Sequence, residues 1–249
     1  MQTIAEVLKR LDQIVTAESE RESPMGYFPA LYHRMTESVR SGIKTSHFEN
    51  GARMERLDVL FARRYVEAYE AWYAGKPCSR SWKIAFDATT DETISTLQHL
   101  MLGINAHINL DLSISAAETR PGEAVFGLRP DFERVNDIIT ALFGQARKRL
   151  TEAWLSYPWL ENMVRTEDDG WVHFSIKTAR GASWKAYTAL ALTTDKASEK
   201  AMIDILDQNV ADLAQRIVKP GWVLQMGVNL ITNSEKGNNT DKIALLRSL

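Results

Sequence analysis

Leu97-Gln-His-Leu-Met-Leu-Gly-Ile-Asn-Ala-His-Ile-Asn-Leu-Asp-Leu-Ser-Ile-Ser115 is apolar on nearly every side when wound as a helix, yet it carries Asn105, His107, Asn109 and Asp111. A helix that is greasy all round belongs at the centre of a protein. Polar side chains buried there must be paired, because an unmatched amide or carboxylate costs on the order of 2 to 7 kcal/mol. Four of them within seven positions predict a hydrogen-bond network, a bound ligand or a metal. The segment therefore decides the fold, helices wrapped around an interior helix, and also marks where chemistry is to be sought.

Outward from it, apolar residues recur at helical spacing and period-two alternation is never sustained, which predicts an all-α single domain, a multi-helix bundle. Ile4, Val7, Leu8, Leu11 and Val15 form a first stripe, and a second helix runs from about Phe28 to Val39, after Ser23-Pro24. A longer third helix, about Ala52 to Trp72, sets Met54, Leu57, Phe61, Tyr65 and Ala68 on one face and closes at Gly75 and Pro77. A short helix from Trp82 to Ala88 leads to Asp91, read as the cap of the central helix. Beyond the Arg120-Pro-Gly122 turn, Pro130 opens a helix to about Leu155, which Tyr157-Pro-Trp159 interrupts. Two more follow, Val172 to Leu192 and Lys196 to Val218, then a loop from Asn233 to Thr240 and a last short helix from Asp241.

Length and composition narrow the function. The 249 residues fit one large core, and 45% hydrophobic with 25% charged residues is ordinary for a globular protein. A net charge of −2 gives no basic field, so no nucleic-acid partner is expected. Arg147, Lys148 and Arg149 are read as a solvated helix face. Cys78 is the single cysteine, which excludes an internal disulfide and a cysteine-rich zinc site. The amino terminus lacks the pattern of a secretion signal, and no apolar run reaches about 18 residues, so a cytoplasmic location without membrane contact is expected. Phosphate loops, nucleophile elbows and His-Glu-x-x-His are absent from the sequence.

His107 and Asp111, four apart, share a helix face, as do Asn105 and Asn109. The two pairs face different neighbours, so one lines a cavity while the other stitches helices together. His99, two turns earlier, extends the polar strip. Asp58 falls on the inward stripe of the third helix with Glu55 three residues before it, and Arg180 offers a guanidinium that could hold a carboxylate on a face shared with Lys177, Trp184 and Tyr187. Three readings follow. The polar residues form a closed network that fixes helix register. Alternatively, His107, Asp111, Glu55 and Asp58 chelate a divalent metal, although the Glu-x-x-His signature of helical bundles is missing. In the third, a metal-free pocket walled by Tyr65, Trp184 and Tyr187 uses His107 as acid or base, with Asp111 orienting it. The preferred expectation is a small-molecule enzyme with His107, Asp111 and Arg180 catalytic and Asn105, Asn109 and His99 binding the ligand. The alternative is a non-catalytic binding or interaction protein. A homo-oligomer is compatible with the residues but not demanded by them. His33, His47 and His173 are isolated and read as packing or surface.

The central motif, with Met35-Thr36 ahead of Val39, Met54-Glu-Arg-Leu-Asp58, Phe61-Ala62, Arg64-Tyr65, Phe174-Ser175, Ala179-Arg180 and Trp184, resembles domain-of-unknown-function family 5995 in order and spacing. The resemblance spans most of the chain and loosens beyond about Pro220. It implies the same single all-α domain and the same choice of residues, and it brings no activity or cofactor with it.

Overall fold

A computed structural model describes residues 1–119, 126–154, 169–220, 232 and 235–248. The secondary structure of these residues is helical, without strands. In chain order the helices are α1 (Ile4–Glu20), α2 (Tyr27–Lys44), α3 (Gly51–Tyr73), α4 (Arg80–Asp87), α5 (Thr96–Ala106), a π-helical turn (His107–Asp111), α6 (Leu112–Thr119), α7 (Arg129–Trp154), α8 (Asp169–Leu192), α9 (Lys196–Val218) and α10 (Asn239–Arg247). The Arg120-Pro-Gly122 turn, the Tyr157-Pro-Trp159 break, Glu167, Asp168 and Asn233 lie outside the described residues. So do the side chains of Arg147, Lys148, Arg149, His173, Phe174 and Lys177.

Most helix ends follow the sequence. Thr3, Asn50 and Asp195 cap α1, α3 and α9 by accepting backbone N–H bonds in the first turn. One start differs from expectation: Ser95, not Asp91, caps α5, in a reciprocal arrangement with Gln98. Asp91 instead takes the amide and hydroxyl of Thr93 in the preceding turn. The last helix begins at Asn239, capped by Asn238, with Asp241 completing its capping box.

The stretch from Thr96 to Thr119 is the axis of the structure. Its α5 part packs on α2, α4 and α9, its π turn on α3, α8 and α9, and its α6 part on α3 and α8. The stretch is buried along most of its length, with Leu97 and Met101 exposed at its beginning and Glu118 near its end. Gly103 lets α5 approach α2 closely, since a Cβ there would stand 2.5 Å from the Phe28 ring. Phe28 in turn packs edge-on against Tyr65 and Trp82, at 5.1 and 5.3 Å between ring centroids. The interior beside the π turn is thus aromatic, a setting in which ring pairs add about 0.5 to 1.5 kcal/mol each beyond the area they bury.

At the rim, helix N-termini are held by acids from distant elements. Asp207 of α9 accepts from the Arg80 and Ser81 amides and the Ser81 hydroxyl at the start of α4. Asp131 of α7 accepts from the Glu49 and Asn50 amides just before α3, and from Arg53 and Arg134. Glu235 accepts from the Thr96 amide and hydroxyl at the start of α5. Each places negative charge where the helix exposes its unpaired N–H groups and the positive end of its dipole.

Candidate functional site

His107 and Asp111 are the first and last residues of the π turn. The Leu112 N–H donates to the His107 carbonyl, five residues back, in place of the α-helical partner. The widened turn frees carbonyls that need other donors. One is met from outside: the Ser183 hydroxyl of α8 donates to Ile108 O. π turns recur at functional sites because they aim side chains in directions a regular helix does not offer.

The Asp111 carboxylate is fully engaged. Its Oδ2 lies 3.1 Å from His107 Nδ1 and accepts the Trp82 indole N–H at 2.8 Å, while Oδ1 accepts the Arg64 Nε–H at 3.1 Å. Asp111 is 1% exposed and Arg64 only part-buried, so this ion pair connects the interior to the surface, where Arg64 also lies 3.9 Å from Glu118. An aspartate beside Nδ1 selects the tautomer with the proton there and leaves Nε2 as the basic nitrogen.

That nitrogen has no hydrogen-bond partner. The imidazole lies flat on Phe61, ring centroids 3.5 Å apart, with Tyr32 edge-on at 4.4 Å and Phe28 at 5.5 Å. Burial lowers the His107 pKa, and its bond to Asp111 offsets only part of that, so the ring is neutral at pH 7. The Tyr32 and Tyr65 rings face the imidazole and carry buried hydroxyls without partners, and near Tyr32 the same holds for Thr36 Oγ1 and Asp58 Oδ2. The Tyr32 and Thr36 hydroxyls lie side by side without a hydrogen bond of normal geometry. Burial, and then the nearby Glu55 charge, pushes the Asp58 carboxyl up to about 8, so it is protonated at neutral pH. Burial also drives the Tyr32 and Tyr65 phenols well above their ordinary value.

The other sequence-selected residues are placed as follows. Asn109 donates to Asn105, which donates to Val210 O of α9, so this pair stitches helices together. His99 is buried edge-on to Tyr27, its pKa lowered to about 4 by burial, and lines a crevice of about 20 Å³ with Phe28, Tyr65 and Trp82. Trp184 packs edge-on against Phe132 of α7 and against Tyr187.

Two expectations are corrected. Arg180 does not pair with Asp58 or Asp111; its Nη2 donates to Phe132 O and its guanidinium lies over the Phe132 ring. The cation on Asp111 is Arg64, whose position in α3 faces the π turn. Nor do His107, Asp111, Glu55 and Asp58 gather as a metal site. Among the described residues no three His, Cys, Asp or Glu side chains are grouped to hold a cation. Glu55 is turned outward to accept the Ile4 amide at the start of α1, and His107 spends Nδ1 on Asp111. Arg64, Trp82, Tyr32, Thr36 and the stacking Phe61 were not expected as site residues, although Thr36, Phe61 and Arg64 lie in segments that carry the family resemblance.

A family model described as a family of unknown function (DUF5995) matches residues 4–220. The chain belongs to this family. The match includes the whole π-turn site and the Arg180 region. No curated protein and no solved structure matches the chain significantly. Among the described residues, no helix is long and apolar enough to cross a membrane.

Proposed function

We propose that this DUF5995 member is an enzyme acting on a compact, partly apolar small molecule, with His107 taking and returning a proton at Nε2. The observation that carries the reading is the unpartnered Nε2 of a neutral histidine whose other nitrogen is held by Asp111. Asp111, fixed by Arg64 and Trp82, is the positioning residue that would stabilise the imidazolium once formed. Tyr32, edge-on to the ring, supplies an O–H donor, and protonated Asp58 a second one near Tyr32, suited to a developing negative charge in a site of low dielectric. Phe28 and Phe61 exclude water from it.

A second reading, a binding or interaction protein whose buried network only fixes the helices, is favoured by one observation: the crevice beside the site, about 20 Å³, has room for a single water. On the enzyme reading Phe28 must swing aside to admit substrate.

His107→Leu separates the two. A catalytic His107 contributes little to folding, so the variant melts at the wild-type temperature or above it. A loss of more than about 2 kcal/mol assigns His107 to the structural network. In parallel, incubation of each protein with a small-molecule cell extract, followed by mass spectrometry, should show a compound consumed by the wild type and spared by the variant. Identical profiles overturn the enzyme reading.

A further inference from the structure

Arg180 is 3% exposed, and no carboxylate stands beside it among the described residues. Its Nη2 donates to Phe132 O, its guanidinium carbon lies 4.2 Å from the Phe132 ring centroid, and its Nε–H has no acceptor. A buried cation ordinarily has an anion against it, because removing the charge from water costs several kcal/mol that one carbonyl and one ring face do not return. Arginine does not escape by shedding its proton. Burial brings Arg180 down only to about 9, so it stays charged at neutral pH.

The contacts of the Arg180 guanidinium are with Phe132 of α7, so it stands apart from the His107–Asp111–Arg64–Trp82 cluster. Its surroundings are aromatic. Trp184 stands edge-on to Phe132 at 5.1 Å and to Tyr187 at 4.9 Å, and the Arg129 guanidinium lies 5.7 Å from the Trp184 ring. Arg129 is exposed and already bonded to Glu133 at 2.7 Å, so it brings no free positive charge.

We infer that Arg180 is the anchor of a separate binding site for a small organic carboxylate. The free Nε–H edge of the guanidinium holds the carboxylate oxygens, and Phe132 and Trp184 hold the apolar remainder. One guanidinium matches one negative charge. A phosphate dianion would carry an uncompensated charge into the same aromatic interior, which selects the carboxylate. The inference does not depend on the His107 reading, since its test reads binding.

The full chain is titrated at pH 7 with sodium benzoate, sodium acetate or sodium phosphate, each against sodium chloride of equal ionic strength, and followed by thermal unfolding. Wild type should rise saturably with benzoate, by about 3 to 6 °C at tenfold over Kd, and less with acetate or phosphate at equal concentration. Arg180→Met should melt no lower than wild type in chloride and show no rise with benzoate. Arg180→Lys keeps the charge and loses the fork, so benzoate should bind at least tenfold more weakly. This arm carries the test if the methionine variant does not fold. No saturable rise in wild type, an equal rise in Arg180→Met, unchanged affinity in Arg180→Lys, or a larger effect of phosphate than of carboxylates each overturns the assignment.

Discussion

The rim and the centre of this bundle use carboxylates in opposite ways. At the rim, Asp131 and Asp207 are buried but saturated, each oxygen accepting from helix-start amides, hydroxyls or arginines. At the centre, Asp58 is as deeply buried and has an oxygen with no donor at all. Burial raises the pKa of Asp131 too, but the bonds from the Glu49 and Asn50 amides and from Arg53 outweigh it and leave it below 3.8. Asp58 has no such bonds and stands at about 8. The same side chain is held ionised where donors surround it and keeps its proton where they do not.

Three substitutions try this contrast, from the largest expected effect downward. Asp131→Ala removes the acceptor of the Glu49 and Asn50 amides ahead of α3 and strands the nearly buried Arg53 without its partner. A cost of about 3 to 5 kcal/mol is expected, read as the shift of the urea midpoint at unchanged slope. A loss below about 1 kcal/mol would mean that rim acids are not what fixes the helix starts.

Asp58→Asn should behave in the reverse sense, and only as a function of pH. In the folded chain Asp58 keeps its proton to about pH 8, whereas the unfolded chain releases it above 3.8. Between those values the unfolded state binds fewer protons, so stability falls as pH rises, by at most about 1.4 kcal/mol per pH unit. From about pH 5 to pH 8, wild type should therefore lose up to about 4 kcal/mol relative to the variant in urea titrations. Asp131 has the contrary sign, since its folded pKa is depressed: its contribution is present above 3.8 and disappears as pH falls through the folded value. Parallel pH profiles for wild type and Asp58→Asn would show that Asp58 ionises freely and dissolve the contrast. The smallest effect belongs to Asn105→Ala, which removes the side-chain bond to Val210 O and leaves the part-buried Asn109 amide without its acceptor, and should cost about 0.5 to 1.5 kcal/mol, measured by the fall in melting temperature.

Helical spacing made most of the fold legible: α9 begins and ends where the sequence places it, and α1 to α4 lie within a few residues of expectation. It also picked out His107 with Asp111, and Asp58 on the inward stripe, because position on a helix face needs only local period. Partners across helices were not legible. Arg53, Arg56, Arg63 and Arg64 all lie in α3, and nothing local distinguishes the one that crosses to Asp111. Trp82 entered the sequence reading only as the start of a short helix, and its indole N–H finds Asp111 through the packing of α4 on α5. Arg180 was expected opposite an acid because a buried carboxylate needs a positive partner, and its neighbour proved to be an aromatic ring. The capping acids escaped notice for the same reason: Asp207 lies 127 residues from the Arg80 amide it holds.

The π turn has a further consequence for how this segment tolerates change in length. It holds one residue more than an α-helical turn would, so the stretch before it is rotated by about 100° relative to an uninterrupted helix. Deleting a single residue there would restore a regular helix and carry Asn105 away from Val210 or Asp111 away from Trp82 and Arg64, but could not preserve both attachments. The segment is thus a splice between two helical phases, and its length is constrained more tightly than the identity of the apolar residues that fill it.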